Sequence, residues 1–226
     1  MTGELERVVG RSGPLLLDFD GPICRVFAGY PAAAVADRVR EVAIRYGEAV
    51  PAEIADTGDP LKVLYWSATL DRLDVVSSME QELASAELHA IETAEETPGV
   101  RALIRAASST GRPVAVVSNN SAPAIQSFLD SRSLAESVSA VAGRPWGRPD
   151  QMKPHPHLLF EAIRDLGSKP DECVFVGDSM TDIEAGRAAG VRVVAFANRP
   201  SKIERFRAAS PDALVTSMGS VADAVH

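Results

Sequence analysis

"PLLLDFDGPICRVF" runs from Pro14 to Phe27, and its reading decides the fold. Three leucines lead into Asp18 and Asp20, with only Phe19 between the two acids. Such a short apolar run reads as a strand buried on both faces, the kind found in parallel sheets. Residues two apart on a strand face the same side, so Asp18 and Asp20 can project together past its carboxyl end. That edge is where open α/β sheets bind ligands. Carboxylates about 5 Å apart repel by about 3 kcal/mol at an effective dielectric near 20. Either a cation offsets the repulsion or one carboxyl keeps its proton. The first outcome suits a metal-assisted nucleophile, the second a general acid. Taken alone, the pair serves equally well as loop acids capping the next turn, with Gly21 forming the turn.

Outward from this stretch, four more short apolar runs follow: "PVAVVSN" (113–119), "SVSAVAG" (137–143), "ECVFVGD" (172–178) and "VRVVAFA" (191–197). Gly, Pro, Asn or Asp flank them, and helix-like patterns such as "PGVRALIRAASSTG" (98–111) and "HPHLLFEAIRDLG" (155–167) lie between. Alternating strand and helix predicts an α/β fold with a doubly wound parallel sheet. One segment breaks the alternation. From Gly29 to Thr97 no strand is expected, and residues 31–47, 60–74 and 75–96 carry helical apolar spacing. The expected organisation is a catalytic core of residues 1–21 and 98–226. Residues 22–97 form a small α-helical cap domain over the sheet's carboxyl end. "AGRPWGRPDQ" (142–151) reads as a solvated loop with Trp146 packed down.

The chain has 226 residues, 46% of them apolar, which is ample for a core. Its formal net charge of −8 argues against nucleic acid as a partner, since phosphate backbones call for a basic stripe. No apolar run of about 18 residues occurs, so no membrane span is expected. The N-terminal stretch lacks a signal-peptide layout, and Cys24 and Cys173 fit neither disulfide nor zinc spacing. Both are expected as reduced thiols in a cytoplasmic protein. Monomer and dimer both stay open.

The other strand ends carry chemistry too. "VAVVSNNS" places Ser118 and Asn119 at one, "MKPHP" supplies Lys153 just before a helix, and "VFVGDSMTDIEAG" places Asp178 at another with Asp182 four residues on. In order, "DFDGP", the serine of "VVSNN", the lysine before "PHP" and "GDSMTD" resemble the four motifs of the haloacid dehalogenase (HAD) superfamily of phosphohydrolases. The resemblance covers about Pro14 to Phe196. It implies a Rossmann-like core and an aspartyl-phosphate mechanism with Mg²⁺ as cofactor.

By this resemblance Asp18 is the nucleophile and a metal ligand. Asp20 is the general acid and base, its main-chain carbonyl a further metal ligand, and Asp178 completes the Mg²⁺ site. An Asp at position 20 favours phosphoryl transfer over dehalogenation. Ser118 and the Asn119 amide would bind phosphoryl oxygens, Lys153 would neutralise the phosphoryl charge and the nucleophile, and Gly21 would permit close backbone approach. Asp182 and Ser179 would support the site from behind. Each has a plainer reading: Asp182 as a solvated first-turn acid, Ser179 as an N-terminal helix residue, Ser118 as a helix N-cap and Lys153 as a surface lysine. Pro22 departs from the common motif form. Cys24 and Arg25 read as packing or surface, and His155 and His157, at i and i+2, do not share a helix face as ligands would. In the cap, Lys62 could meet a substrate's distal anion, whereas Tyr65 and Trp66 read as core. The expectation is a Mg²⁺-dependent phosphatase for a small phosphorylated metabolite. The alternatives are a phosphomutase of the β-phosphoglucomutase type and a non-catalytic binding module.

Overall fold

A computed structural model describes residues 2–10 and 13–225. The first half of the chain forms α1 (Thr2–Val9), β1 (Leu15–Leu17), β2 (Cys24–Arg25), α2 (Ala32–Arg45), α3 (Ala52–Ala55), α4 (Pro60–Ser67), α5 (Leu73–Ala90) and β3 (Glu95–Glu96). The second half forms α6 (Val100–Ser109), β4 (Val114–Val117), α7 (Ala122–Ser131), β5 (Ala140–Ala142), α8 (His157–Asp165), β6 (Val174–Gly177), α9 (Met180–Ala189), β7 (Arg192–Phe196), α10 (Pro200–Ala209), β8 (Ala213–Val215) and α11 (Met218–Asp223).

Six strands make one parallel sheet in the order β5-β4-β1-β6-β7-β8. β1, β4 and β6 are buried along their whole length, as two-sided strands must be. The period of two sorts their side chains. Leu15, Leu17, Val114 and Val116 pack under α6, α7 and α11, while Leu16, Ala115, Val117 and Phe175 pack under α8 and α9. This is the predicted α/β Rossmann-like architecture. β1 lies between β4 and β6, so the strand order reverses there and a crevice opens at its carboxyl end.

The stretch between β2 and β3 is helical and holds its own apolar cluster, with Val35, Val39, Val63, Leu64, Met79 and Leu83 at its centre. Three expectations need correction. Residues 95–96 are extended, not helical: Cys24 pairs with Glu96 and Arg25 with Glu95 in an antiparallel ribbon. Tertiary pairing overrides the helical preference of the glutamates, because the chain leaves and re-enters the sheet edge at one place and Thr97 N–H bonds Ile23 O at 2.9 Å. The pattern of 60–74 breaks after Ser67, and Asp71, at φ 47°, turns the chain into α5. A sixth strand, β8, went unpredicted because three residues give too little periodicity.

The loop at 142–151 differs as well. Trp146 is 59% exposed, not packed down. Arg144 is buried, not solvated, and its guanidinium is held by Glu80 and Glu87 of α5.

Candidate active site

The site grows from the end of β1. Asp18 N–H bonds Val176 O at 2.9 Å, extending the β1–β6 ladder by one residue and fixing where the side chain leaves the sheet. Asp18 Oδ1 accepts from Phe19 N–H at 2.7 Å and lies 2.8 Å from Lys153 Nζ. Lys153 is 4% exposed; its ammonium also sits 2.6 Å from Asp182 Oδ1, bonds Val117 O at 3.1 Å and lies over the Phe175 ring. Burial alone would lower the Lys153 pKa, but the charges of Asp18 and Asp182 outweigh it and raise it. Asp182 holds its pKa low despite its burial, through Lys153 and its bonds from Ser179. Asp18 goes the other way: burial, and next the charge of Asp182, push it well above the usual carboxylate range.

Ser179 and Asp182 cap α9 reciprocally. Ser179 Oγ accepts from Asp182 N–H at 3.1 Å, and Asp182 Oδ2 accepts from Ser179 N–H, Ser179 O–H and Asp178 N–H. Asp182 is therefore a fully buried partner of Lys153 rather than a solvated first-turn acid. Asp178 lies 2.5 Å from Lys202 Nζ on α10 and accepts from Asn198 Nδ2 at 2.7 Å. The oxygens of Asp18, Asp178 and Asp182 lie within 4.8 Å of one another. Both Asp182 oxygens are engaged by lysine or main-chain donors, so Asp18 and Asp178 are the side chains suited to a cation, and hard carboxylate oxygens fit Mg²⁺. The Asp20 carboxyl stands apart from this trio and accepts from Val26 N–H at 3.0 Å. Burial raises its pKa to about 6; the Val26 bond and Lys202 oppose this, and the charges of Asp178 and Asp59 add to it.

Gly21, at φ +115°, turns the chain out of the site, and Thr97 Oγ1 donates to its carbonyl. On the other side of β1, Ser118 Oγ donates to Asn120 Oδ1 at 3.1 Å. The Asn119 carboxamide is committed elsewhere: it donates to Lys153 O at 3.0 Å and accepts from Lys153 N–H at 2.8 Å, tying the β4 loop to the lysine.

Asp18, Asp20, Ser118, Asn119, Lys153, Asp178 and Ser179 all line one cavity of about 590 Å³ between the sheet's carboxyl edge and the helices α3 and α4. Lys62, Tyr65 and Trp66 line it too, so the aromatic pair does not belong wholly to the core. His155 and His157 lie elsewhere: His155 Nδ1 accepts from His157 N–H at the start of α8. Cys24 is buried in the apolar core and burial raises its thiol pKa, while Arg25 turns outward to Glu95.

Sequence reasoning missed Lys202, Asn198, Asn120 and the pair Glu80 and Glu87. The glutamates carried a readable signal. They stand seven apart on α5, inside a stripe with Val76, Met79, Leu83, Ala86 and Ala90, where a helix face turns inward.

A parallel sheet with acids, a lysine and a serine gathered at its switch point defines an α/β protein with a polar crevice at the sheet's carboxyl edge. The sequence profile of the haloacid dehalogenase-like hydrolase family matches residues 44–196, and the chain belongs to that family. It is 30% identical over 148 residues to a bifunctional riboflavin kinase/FMN phosphatase of Arabidopsis thaliana, covering 65% of this chain and 37% of the relative. It is 30% identical over 128 residues to the phosphoglycolate phosphatase of Escherichia coli K12, covering 57% of this chain and 50% of the relative. The chain thus spans half the length or less of these curated relatives. Among solved structures, CbbY from Rhodobacter sphaeroides in complex with phosphate superposes with a TM-score of 0.63 at 18% identity, covering 92% of this chain and 95% of that one. A subfamily IA HAD-superfamily hydrolase from Geobacter sulfurreducens superposes at 0.61 and 20% identity, covering 96% and 98%. These two likenesses concern the fold. Among the described residues no helix is long and apolar enough to cross a membrane.

Proposed function

We propose that this chain is a phosphohydrolase that cleaves small phosphate monoesters through an aspartyl-phosphate on Asp18, with residues 22–97 acting as a cap over the site. The observation that carries the reading is the buried Lys153 ammonium. It lies 2.8 Å from Asp18 and 2.6 Å from Asp182, at the mouth of β1. A fixed cation there holds the nucleophile in place and meets the charge of an incoming phosphoryl group.

Asp18 attacks phosphorus through Oδ2, since Oδ1 is held by Phe19 N–H and Lys153. The bond from phosphorus to the leaving oxygen breaks, and Asp20 gives that oxygen its proton. Asp20 then takes a proton from water, whose oxygen attacks phosphorus. Inorganic phosphate leaves and the Asp18 carboxylate returns. Ser118 Oγ and the Asn119 main-chain N–H receive phosphoryl oxygens, while the Asn119 side chain keeps Lys153 in register. Asp18 and Asp178 would hold Mg²⁺, which supplies charge neutralisation for the phosphoryl oxygens. Lys202 and Asn198 orient Asp178 for that role. A binding module has no need of a second acid at position 20, which counts against the non-catalytic alternative.

Phosphate release from a panel of metabolite esters tests the reading. The native protein should release phosphate with Mg²⁺ and stop when the metal is chelated. Asp18→Asn should lower turnover by about 10⁴-fold or more, the scale of losing a nucleophile, with its circular dichroism unchanged. Beryllium fluoride should add to native Asp18 and not to the variant. Full turnover by folded Asp18→Asn sinks the mechanism.

A further inference from the structure

The cavity wall opposite Asp18 belongs to α3, α4 and the turn between them, and its chemistry does not match a short, acidic alcohol. Ile54, Leu61, Tyr65 and Trp66 give it an apolar, aromatic surface, to which Met152, next to Lys153 and outside these helices, adds. Tyr65 keeps 43% of its surface exposed, although the cluster beneath α4 is densely packed. The charges on the wall are Glu53, Asp59 and Lys62, two acids against one base. Asp59 is fixed: its carboxylate caps α4, accepting from Leu61 N–H at 3.0 Å and Lys62 N–H at 3.4 Å. Arg40, which could have neutralised this rim, is spent on the carbonyls of Ile54 and Thr57, where it shapes the turn. A carboxylate on the leaving group would meet Glu53 and Asp59 with Lys62 as the single opposing charge. At about 590 Å³ the space falls in the range that encloses a ring-bearing ligand.

We infer that the alcohol part of the substrate is uncharged and flat, an aromatic or heterocyclic body that lies against Trp66 and Tyr65 and offers N–H or O–H donors to Glu53 and Asp59. The inference rests on the proposed phosphohydrolase reading and names its substrate class. A ring over Trp66 turns burial of its apolar face into orientation, and two carboxylates accept what the ring donates.

The test compares benzyl phosphate, flavin mononucleotide and adenosine 5′-monophosphate with ethyl phosphate and 2-phosphoglycolate, all with Mg²⁺. The ring-bearing esters should exceed both others in kcat/KM by at least about tenfold, one decade being about 1.4 kcal/mol. Trp66→Ala should lower kcat/KM for the ring-bearing esters about tenfold and change ethyl phosphate less than threefold, and Trp66→Phe should retain most of the preference. Glu53→Lys, on an exposed position, should raise kcat/KM for 2-phosphoglycolate. Preference of the native protein for 2-phosphoglycolate, or an equal loss on all esters in folded Trp66→Ala, overturns the inference. Binding is read separately in Asp18→Asn with Trp146→Phe, where Trp66 is the one tryptophan. Saturable quenching by adenosine 5′-monophosphate and not by 2-phosphoglycolate supports the site even if no ester is turned over, in which case the hydrolase reading alone fails. Equal quenching by both overturns it.

Discussion

At Gly21 a side chain has nowhere to go. A Cβ there would sit 2.3 Å from Asp178 Cγ, and φ +115° lies where L-residues are strained. Gly21→Ala should therefore cost about 1–3 kcal/mol of stability and displace Asp178. Thermal melting should show the loss, and phosphate release should fall by about tenfold or more even well below the melting temperature, since a small misplacement at a reacting centre is expensive. Gly177 makes the same point from the other side, because a Cβ there would meet Asp182 Cβ at 2.3 Å. Gly21 and the acids Asp18, Asp20, Asp178 and Asp182 were legible in the sequence, since strand ends expose whatever follows a buried apolar run. Lys202 and Asn198 were not. Nothing in "NRPSK" separates a lysine bonded to Asp178 from a solvated one, and only the packing of α10 beside β7 brings it there.

At the scale of elements, α5 joins the inserted helices to the loops that follow β4 and β5 through a buried network. Glu87 accepts from Arg144 at 2.8 and 3.1 Å, from Asn120 Nδ2 at 3.1 Å and from Ser121 N–H at 3.0 Å. Glu80 takes the third guanidinium nitrogen and Gly147 N–H. Asn120 in turn holds Ser118 Oγ, so a chain of bonds runs from α5 to the candidate phosphate site. Without Glu87, Arg144 keeps Glu80, but Arg144 Nη2, Asn120 Nδ2 and Ser121 N–H lose their acceptor, and buried donors left unsatisfied cost far more than a broken surface pair. Glu87→Ala should cost about 3–5 kcal/mol in urea unfolding, almost independent of added salt because the groups are shielded from ions. Arg72→Ala, which breaks the exposed pair with Asp74, should hardly move the midpoint. A Glu87→Ala midpoint like that of Arg72→Ala would show that the network is not a structural anchor. The network was hidden because Arg144 sits in a stretch of Gly, Pro and Arg that reads as loop, and its partners are 57 and 64 residues away.

Across the whole molecule, the strand and helix alternation was readable because burial on both faces leaves a plain sequence trace. The shape of the cavity was not, since it depends on how α3 and α4 face the sheet. That shape bears on whether water or a sugar receives the phosphoryl group. A mutase that passes through a bisphosphate must rebind it in two orientations, which favours a second cationic phosphate site on the inserted helices. Of the bases there, Arg38 is paired with Glu82 and bonded to Tyr30, and Arg72 is paired with Asp74 and Glu48. Lys62 faces the cavity, beside Glu53 and Asp59. One lysine between two acids makes a poor phosphate clamp, since anion recognition calls for several converging donors. With native protein, Mg²⁺ and a panel of sugar phosphates, released phosphate should match consumed ester one to one, with no isomerised sugar phosphate and no stimulation by a sugar bisphosphate. The check is phosphate release run beside chromatographic product analysis. Isomerised sugar phosphate formed without free phosphate, and hastened by a bisphosphate primer, would transfer the assignment to a mutase.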